Sequence, residues 1–175
     1  MNLPNKLTLL RIILIPFFMG VLYMGFPGAN WVALAIFIVA SFTDLLDGKI
    51  ARKYNLVTDF GKFADPLADK MLTTAAMLWF VENGQMGAWA LLIVLVREFA
   101  VSGLRMIASD KGRVIAAGWS GKVKTASTMV GLCFVMAFPT ASWLVTVVNW
   151  MIVATTLYSG IEYFVQNWKC LGLSK

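Results

Sequence analysis

Histidine is absent from this chain of 175 residues, and cysteine occurs only twice. Without an imidazole, His-based acid–base catalysis and His-ligated zinc are excluded. Cys133 falls mid-way along an apolar run and Cys170 in a basic tail, so neither is expected to face an oxidising compartment and no disulfide is expected. Acids are scarce too, nine Asp and Glu against fifteen Lys and Arg, for a net charge of +6. The basic residues are spread over the ends of apolar runs rather than gathered in one segment, which argues against a nucleic-acid-binding patch. Polar linkers, low-complexity stretches and internal repeats are also missing, so residues 1–175 read as one domain.

Apolar sequence fills the space. Hydrophobic residues make up 59% of the chain and the mean hydropathy is +0.76, beyond the range of a soluble domain of this length. A bilayer-crossing helix needs about 20 residues. The runs predict about six spans, at 8–26, 31–52, 60–82, 86–108, 118–138 and 143–165, and hence an all-α integral membrane protein. Lys6 and Arg11 ahead of the first run resemble the start of a signal peptide. No small-residue cleavage pattern follows, and the run is read as an uncleaved first helix.

Charge placement predicts the orientation. The turns Phe26–Asn30 and Pro139–Ser142 carry no charge, and Glu82–Met86 carries one acid and no base. All fifteen Lys and Arg then lie on the opposite half, which is cytoplasmic by the positive-inside rule, with both termini inside the cell membrane. That face suits anionic lipid and phosphate. Trp31, Trp89, Trp143 and Trp168 sit near predicted span ends, as interfacial anchors do.

Against this background, four aspartates stand out. Each carboxylate near a bilayer centre costs roughly 2.5–3.5 kcal/mol on insertion scales, so a group of them needs compensation. Asp44 and Asp47 are three apart, and Asp65 and Asp69 four apart, which puts each pair on one face of a helix. The short connection Lys53–Thr58 predicts antiparallel neighbours that present all four to one cavity. Converging ionised oxygens suit a divalent metal. Gly48, Ala51 and Gly61 keep the adjoining surface clear for a ligand. Ion pairs of Asp44 and Asp47 with Lys49, Arg52 or Lys70 are the structural alternative, and helix packing is the alternative for the glycines. Neither explains the spacing and the small residues together.

The run D-x2-D-G-x2-A-R-x8-G-x3-D-x3-D, formed by Asp44, Asp47, Gly48, Ala51, Arg52, Gly61, Asp65 and Asp69, resembles the signature of the CDP-alcohol phosphotransferases at every fixed position. The resemblance implies a six-helix membrane enzyme, usually a homodimer, using two divalent cations, Mg²⁺ or Mn²⁺. Such enzymes move a phosphatidyl or similar group from a CDP-linked donor to an alcohol and release CMP. It implies Asp44, Asp47, Asp65 and Asp69 as metal ligands, with Asp69 also taking the proton of the acceptor hydroxyl. Gly48, Ala51, Arg52 and Gly61 would line the donor pocket.

The acceptor has to be read from other residues. Arg97 and Glu98 lie mid-way along the fourth span, where charge is costly and usually functional. Arg97, Val101 and Arg105 follow one helical stripe, and Lys122 and Thr125 share a face with Lys124 nearby. With Lys111 and Arg113 in the inner loop, these groups would meet on the cytoplasmic side of the aspartate cavity and bind an acceptor that carries a phosphate. Inner-leaflet anchoring is the alternative for Lys111, Arg113 and Lys124, and an ion pair with a neighbouring helix is the alternative for Arg97. The stretches Arg97–Arg105, Gly121–Thr125 and Pro4–Arg11 resemble the phosphatidylglycerophosphate synthase branch of the family, whose donor is CDP-diacylglycerol and whose acceptor is glycerol 3-phosphate. Asn5, Thr8 and Arg11, at intervals of three, form a polar face expected at the membrane surface, where it either touches the donor headgroup or anchors the helix. Two rival readings stand beside this one. One is another acceptor within the family: phosphatidylglycerol, serine or an inositol phosphate. The other is a metal-ion or proton transporter, which predicts carboxylates on both halves of the membrane; here the outer half has only Glu82.

Overall fold

In the computed structural model, residues 3–53, 59–110 and 118–168 are described, without the side chains of residues 3, 4, 44–53, 59–66, 69 and 110. Lys111, Arg113 and Cys170 lie outside the described residues, as do the side chains of the four aspartates and of Gly48, Ala51, Arg52 and Gly61. The described elements are six helices: α1 (Leu3–Met24), α2 (Ala29–Lys53), α3 (Asp59–Glu82), α4 (Ala88–Asp110), α5 (Trp119–Ala137) and α6 (Ser142–Asn167). Each stands within a few residues of a predicted span. The chain divides into two compact units, Met1–Asn83 with Met136–Pro139, and Gly84–Val135 with Thr140–Lys175.

In the first unit α1 packs against both α2 and α3. Its buried stripe, Thr8, Arg11, Ile15, Phe18 and Leu22, alternates steps of three and four, the period of a one-sided helix. Ala33, Phe37 and Ala40 form the matching stripe of α2. Phe18 meets Phe37 at 6.0 Å between ring centroids, and Arg11 Nε donates to the Ala40 carbonyl at 3.3 Å. Rising numbers on α1 thus meet falling numbers on α2, so the pair is antiparallel. The end of α1 meets the end of α3: the Tyr23 hydroxyl donates to the Glu82 carboxylate at 2.5 Å and the Tyr23 ring stands edge-on to Trp79 at 5.0 Å. Helices α1 and α3 are therefore parallel. The turn between α1 and α2 needs left-handed backbone at Gly25 (φ 60°) and Gly28 (φ 93°), conformations glycine adopts without the Cβ penalty.

In the second unit α4 packs on α6. Val101 and Leu104 of α4 join Tyr163 of α6 in a buried cluster, with Phe164 against it. Partners rise together along both helices, so α4 and α6 run parallel. Helix α5 runs against α6, and it approaches closely at Gly131, where a Cβ would stand 2.8 Å from Val148 Cγ1. Asn149 Nδ2 donates to the Gln85 carbonyl at 2.5 Å, and the Trp89 and Trp150 rings meet tilted, 5.6 Å between centroids.

Helix α6 has two faces, and both are apolar. Val145, Val148, Ile152, Thr156, Ser159 and Tyr163 are buried, whereas Trp143, Val147, Trp150, Tyr158, Ile161 and Val165 are exposed. An exposed stripe of this composition is tolerated in lipid and not in water. Among the described residues, Asn5–Met24 and Ser142–Asn167 are long and apolar enough to cross a membrane, and Ala29–Thr43 is a shorter apolar stretch. Trp31, Trp89, Trp143 and Trp168 are all exposed, as interfacial anchors need to be.

Candidate functional site

Helix directions fix where the aspartates lie. Asp44 and Asp47 belong to the second half of α2, and Asp65 and Asp69 to the first half of α3. Because α2 runs against α1 and α3 runs with it, these two segments come to the same end of the unit, the end where α1 begins. Helix α2 also contacts α3 directly. Helical backbone continues through all four positions, so spacings of three and four keep Asp44 with Asp47 on one face and Asp65 with Asp69 on another. Among the described residues no three carboxylates, thiols or imidazoles gather into a metal site. The side chains of the four aspartates lie outside the described residues; carboxylate oxygens as a class suit the hard ions Mg²⁺ and Mn²⁺.

The start of α1 departs from its sequence reading. Asn5, Thr8 and Arg11 are buried, Thr8 and Arg11 fully so, and are not a face on the membrane surface. The reason is the neighbour: small Ala40 on α2 lets the guanidinium reach a backbone carbonyl that its own helix leaves accessible. A polar stripe facing inward, at the end of the unit that holds the aspartates, is what stays.

The basic stripe of α4 is held by a network. Arg97 Nη1 donates to Glu98 Oε1 at 3.0 Å and Nη2 donates to Ser159 Oγ on α6 at 2.8 Å. Lys124 Nζ reaches the same Glu98 oxygen from α5 at 2.6 Å. These side chains are nearly enclosed, at 12% exposure for Arg97, 17% for Glu98 and 7% for Lys124. Arg97 also lies against two glycines, its Nη2 3.5 Å from the Cβ position of Gly121 and its Cγ 3.1 Å from that of Gly160. Two cations share one Glu98 oxygen, and Arg97 Nε is buried with no hydrogen-bond partner among the described residues. A shielded, spare N–H on a cation is a ready donor for an anionic oxygen. Two turns on, Arg105 Nε donates to the Tyr163 hydroxyl at 3.1 Å, with the guanidinium 5.5 Å from the Tyr163 ring centre.

Arg97 and Lys124 are thus brought together, and Arg105 lies on the same α4 stripe. Lys122 is exposed, and Thr125 Oγ1 donates back to the Gly121 carbonyl at 3.1 Å. Sequence reasoning assigned no role to Glu98, Ser159, Gly160 or Tyr163. Glu98 carried the signal that singled out Arg97, an ionised group mid-span. Nothing in the sequence marked the α6 residues.

A family model for CDP-alcohol phosphatidyltransferases matches residues 1–158, which takes in the aspartate helices and Arg97, Glu98, Arg105 and Lys124 of the basic network. The chain belongs to the CDP-alcohol phosphatidyltransferase family. Among the curated relatives of this phosphatidyltransferase, a protein of Bacillus subtilis (strain 168) is 41% identical over 194 aligned positions, covering 99% of this chain and 98% of the relative. It is named CDP-diacylglycerol–glycerol-3-phosphate 3-phosphatidyltransferase. A protein of the same name from Rickettsia bellii is 35% identical, over 93% of each chain. One from Mycobacterium tuberculosis, named probable phosphatidylglycerophosphate synthase, is 35% identical, over 98% of this chain and 84% of its own. Family membership and the two spanning-length helices mark this phosphatidyltransferase as a membrane protein.

Proposed function

We propose that this protein transfers the phosphatidyl group of CDP-diacylglycerol to the hydroxyl of sn-glycerol 3-phosphate, giving phosphatidylglycerol phosphate and CMP. The observation that carries this reading is similarity along nearly the whole chain to relatives named for that reaction. Its physical counterpart is the enclosed Arg97–Lys124 pair with a spare donor, which suits an acceptor bearing a phosphate and which a neutral alcohol would not need.

In this reading the acceptor hydroxyl forms a bond to the lipid-bearing phosphorus, the bond from that phosphorus to the CMP oxygen breaks, and CMP leaves. Asp69 takes the proton of the hydroxyl. Asp44, Asp47, Asp65 and Asp69 hold two divalent cations, Mg²⁺ or Mn²⁺, which when bound supply charge neutralisation at the pyrophosphate. Gly48, Ala51, Arg52 and Gly61 line the donor site. Asn5, Thr8 and Arg11 turn their polar face to the donor headgroup. Arg97, Arg105 and Lys124 grip the acceptor phosphate, with Arg113, Lys122 and Thr125 as further contacts. All six helices span the cell membrane, both termini and the active site are cytoplasmic, and the working form is a homodimer.

The test is CMP release by the purified protein in lipid micelles, with CDP-diacylglycerol, Mg²⁺ or Mn²⁺ and a panel of acceptors. Release only with glycerol 3-phosphate, lost on chelation, is the expected result. Release with serine, an inositol phosphate or phosphatidylglycerol instead would overturn the acceptor assignment while keeping the aspartate roles.

A further inference from the structure

Outside this machinery, the second unit carries a groove of about 410 Å³ between α5 and α6. Trp119 and Val123 line it from α5, and Ala154, Thr155, Tyr158 and Glu162 from α6. Most of the lining is apolar, yet one ionisable group sits in it. Glu162 Oε1 accepts from Gln166 Nε2 at 2.9 Å, whereas Oε2 is shut from solvent and has no hydrogen-bond partner among the described residues. An unsatisfied carboxylate oxygen in an apolar setting costs several kcal/mol by transfer measures, so it calls for a proton donor or a cation.

The chemistry around Glu162 points to a cation of one kind. Trp119 is 78% exposed and Tyr158 67% exposed, so their rings are open to a ligand, and aromatic faces attract ammonium groups. Thr155 Oγ1 spends its proton on the Met151 carbonyl at 2.8 Å, which leaves its lone pairs as acceptors. Carboxylate and hydroxyl oxygens both require N–H donors. A primary ammonium has three, and a quaternary ammonium has none. The groove is also continuous with the exposed apolar stripe of α6, where Ile161 and Val165 follow Tyr158. A ligand seated there rests its tail on a lipid-facing surface. Trp119 opens α5, and Glu162 lies in the last two turns of α6, near the exposed Trp168, so the groove is at headgroup depth.

We propose that this groove is a binding site for a membrane phospholipid with a primary-ammonium headgroup, whose ammonium pairs with the Glu162 carboxylate over the Trp119 and Tyr158 rings as the side chain turns to bring Oε2 into the groove. None of these residues belongs to the transfer machinery, so the site is an accessory one.

The test uses the full chain purified in detergent. It is mixed with equal amounts of phosphatidylethanolamine, phosphatidylcholine and phosphatidylglycerol of matched acyl chains, separated from free lipid, and the retained lipids are quantified by mass spectrometry. Phosphatidylethanolamine retained about tenfold over phosphatidylcholine is expected, the scale of one ammonium–carboxylate contact with ring support. Glu162→Gln should remove that preference while CMP release stays within about twofold. The exposed Trp119→Leu change should weaken the preference too, and it keeps the test informative if Glu162→Gln does not fold. Equal retention of the three lipids by the unmodified protein would overturn the site. So would an unchanged preference in both variants, or a preference for phosphatidylglycerol.

Discussion

Lys124 and Glu98, on α5 and α4, meet at 2.6 Å, and the oxygen they share also receives Arg97 at 3.0 Å. Glu98 is thus the pin on which two phosphate-binding candidates are hung. Removing one partner of an enclosed ion pair strands the other and costs about 3–5 kcal/mol when burial is full. Glu98→Gln keeps an acceptor oxygen but loses the charge. Its expected effect is a loss of about 2 kcal/mol in stability and a several-fold rise in KM for glycerol 3-phosphate, with kcat less affected. Thermal unfolding alongside steady-state kinetics checks both. A kcat defect at constant KM would place Glu98 in the chemistry instead.

Asp69→Asn tests the proposed base. The amide cannot take a proton, and general-base losses are of the order of 10²–10⁴ in rate. CMP release should fall by that much while circular dichroism still reports the same helix content. Normal release would remove Asp69 from the mechanism.

Two glycine changes separate packing from binding. A Cβ at Gly160 comes within 3.1 Å of Arg97 Cγ, so Gly160→Val should displace the guanidinium from Ser159 and raise KM for the acceptor. At Gly131 the obstacles are Val148 Cγ1 at 2.8 Å and Met151 Cε at 3.0 Å, both on apolar side chains. Overpacking costs about 1–3 kcal/mol, and a valine stiff at χ1 gives way reluctantly. Gly131→Ala should therefore lower the unfolding temperature and leave KM unchanged.

Chelation should abolish CMP release, and either Mg²⁺ or Mn²⁺ should restore it, since the proposed set of four carboxylates offers only oxygen donors, which both ions accept. Soft-metal replacement by Cu⁺ should not restore it. Activity that persists in excess chelator would rule out the cation requirement.

The helices were legible in the sequence because long apolar runs are broken by short turns, among them the one with Gly25 and Gly28, and the α4 stripe was legible from Arg97, Val101 and Arg105. What escaped depended on neighbours distant in the chain. Asn5, Thr8 and Arg11 read as a surface face because polarity alone says nothing of Ala40, whose small side chain opens a carbonyl to Arg11. Ser159 and Tyr163 carry no signal in the sequence, because their contacts depend on α6 running beside α4 in the same direction. Glu98 was visible as a charge, but its role as a shared partner required Lys124 from another helix.

The two faces of α6 differ in what they are answerable to. The inner seam, with Ser159, Gly160 and Tyr163, is read by other side chains, whereas Trp143, Val147, Ile161 and Val165 face outward. The outer set is in that sense a coat, exchangeable for another that matches a different medium. Recoating it with Lys, Glu and Gln, together with the equivalent outward residues of the other helices, is a route to a water-soluble scaffold. Such a scaffold would keep the Arg97–Ser159 and Arg105–Tyr163 register and allow the anion-binding half to be studied without detergent.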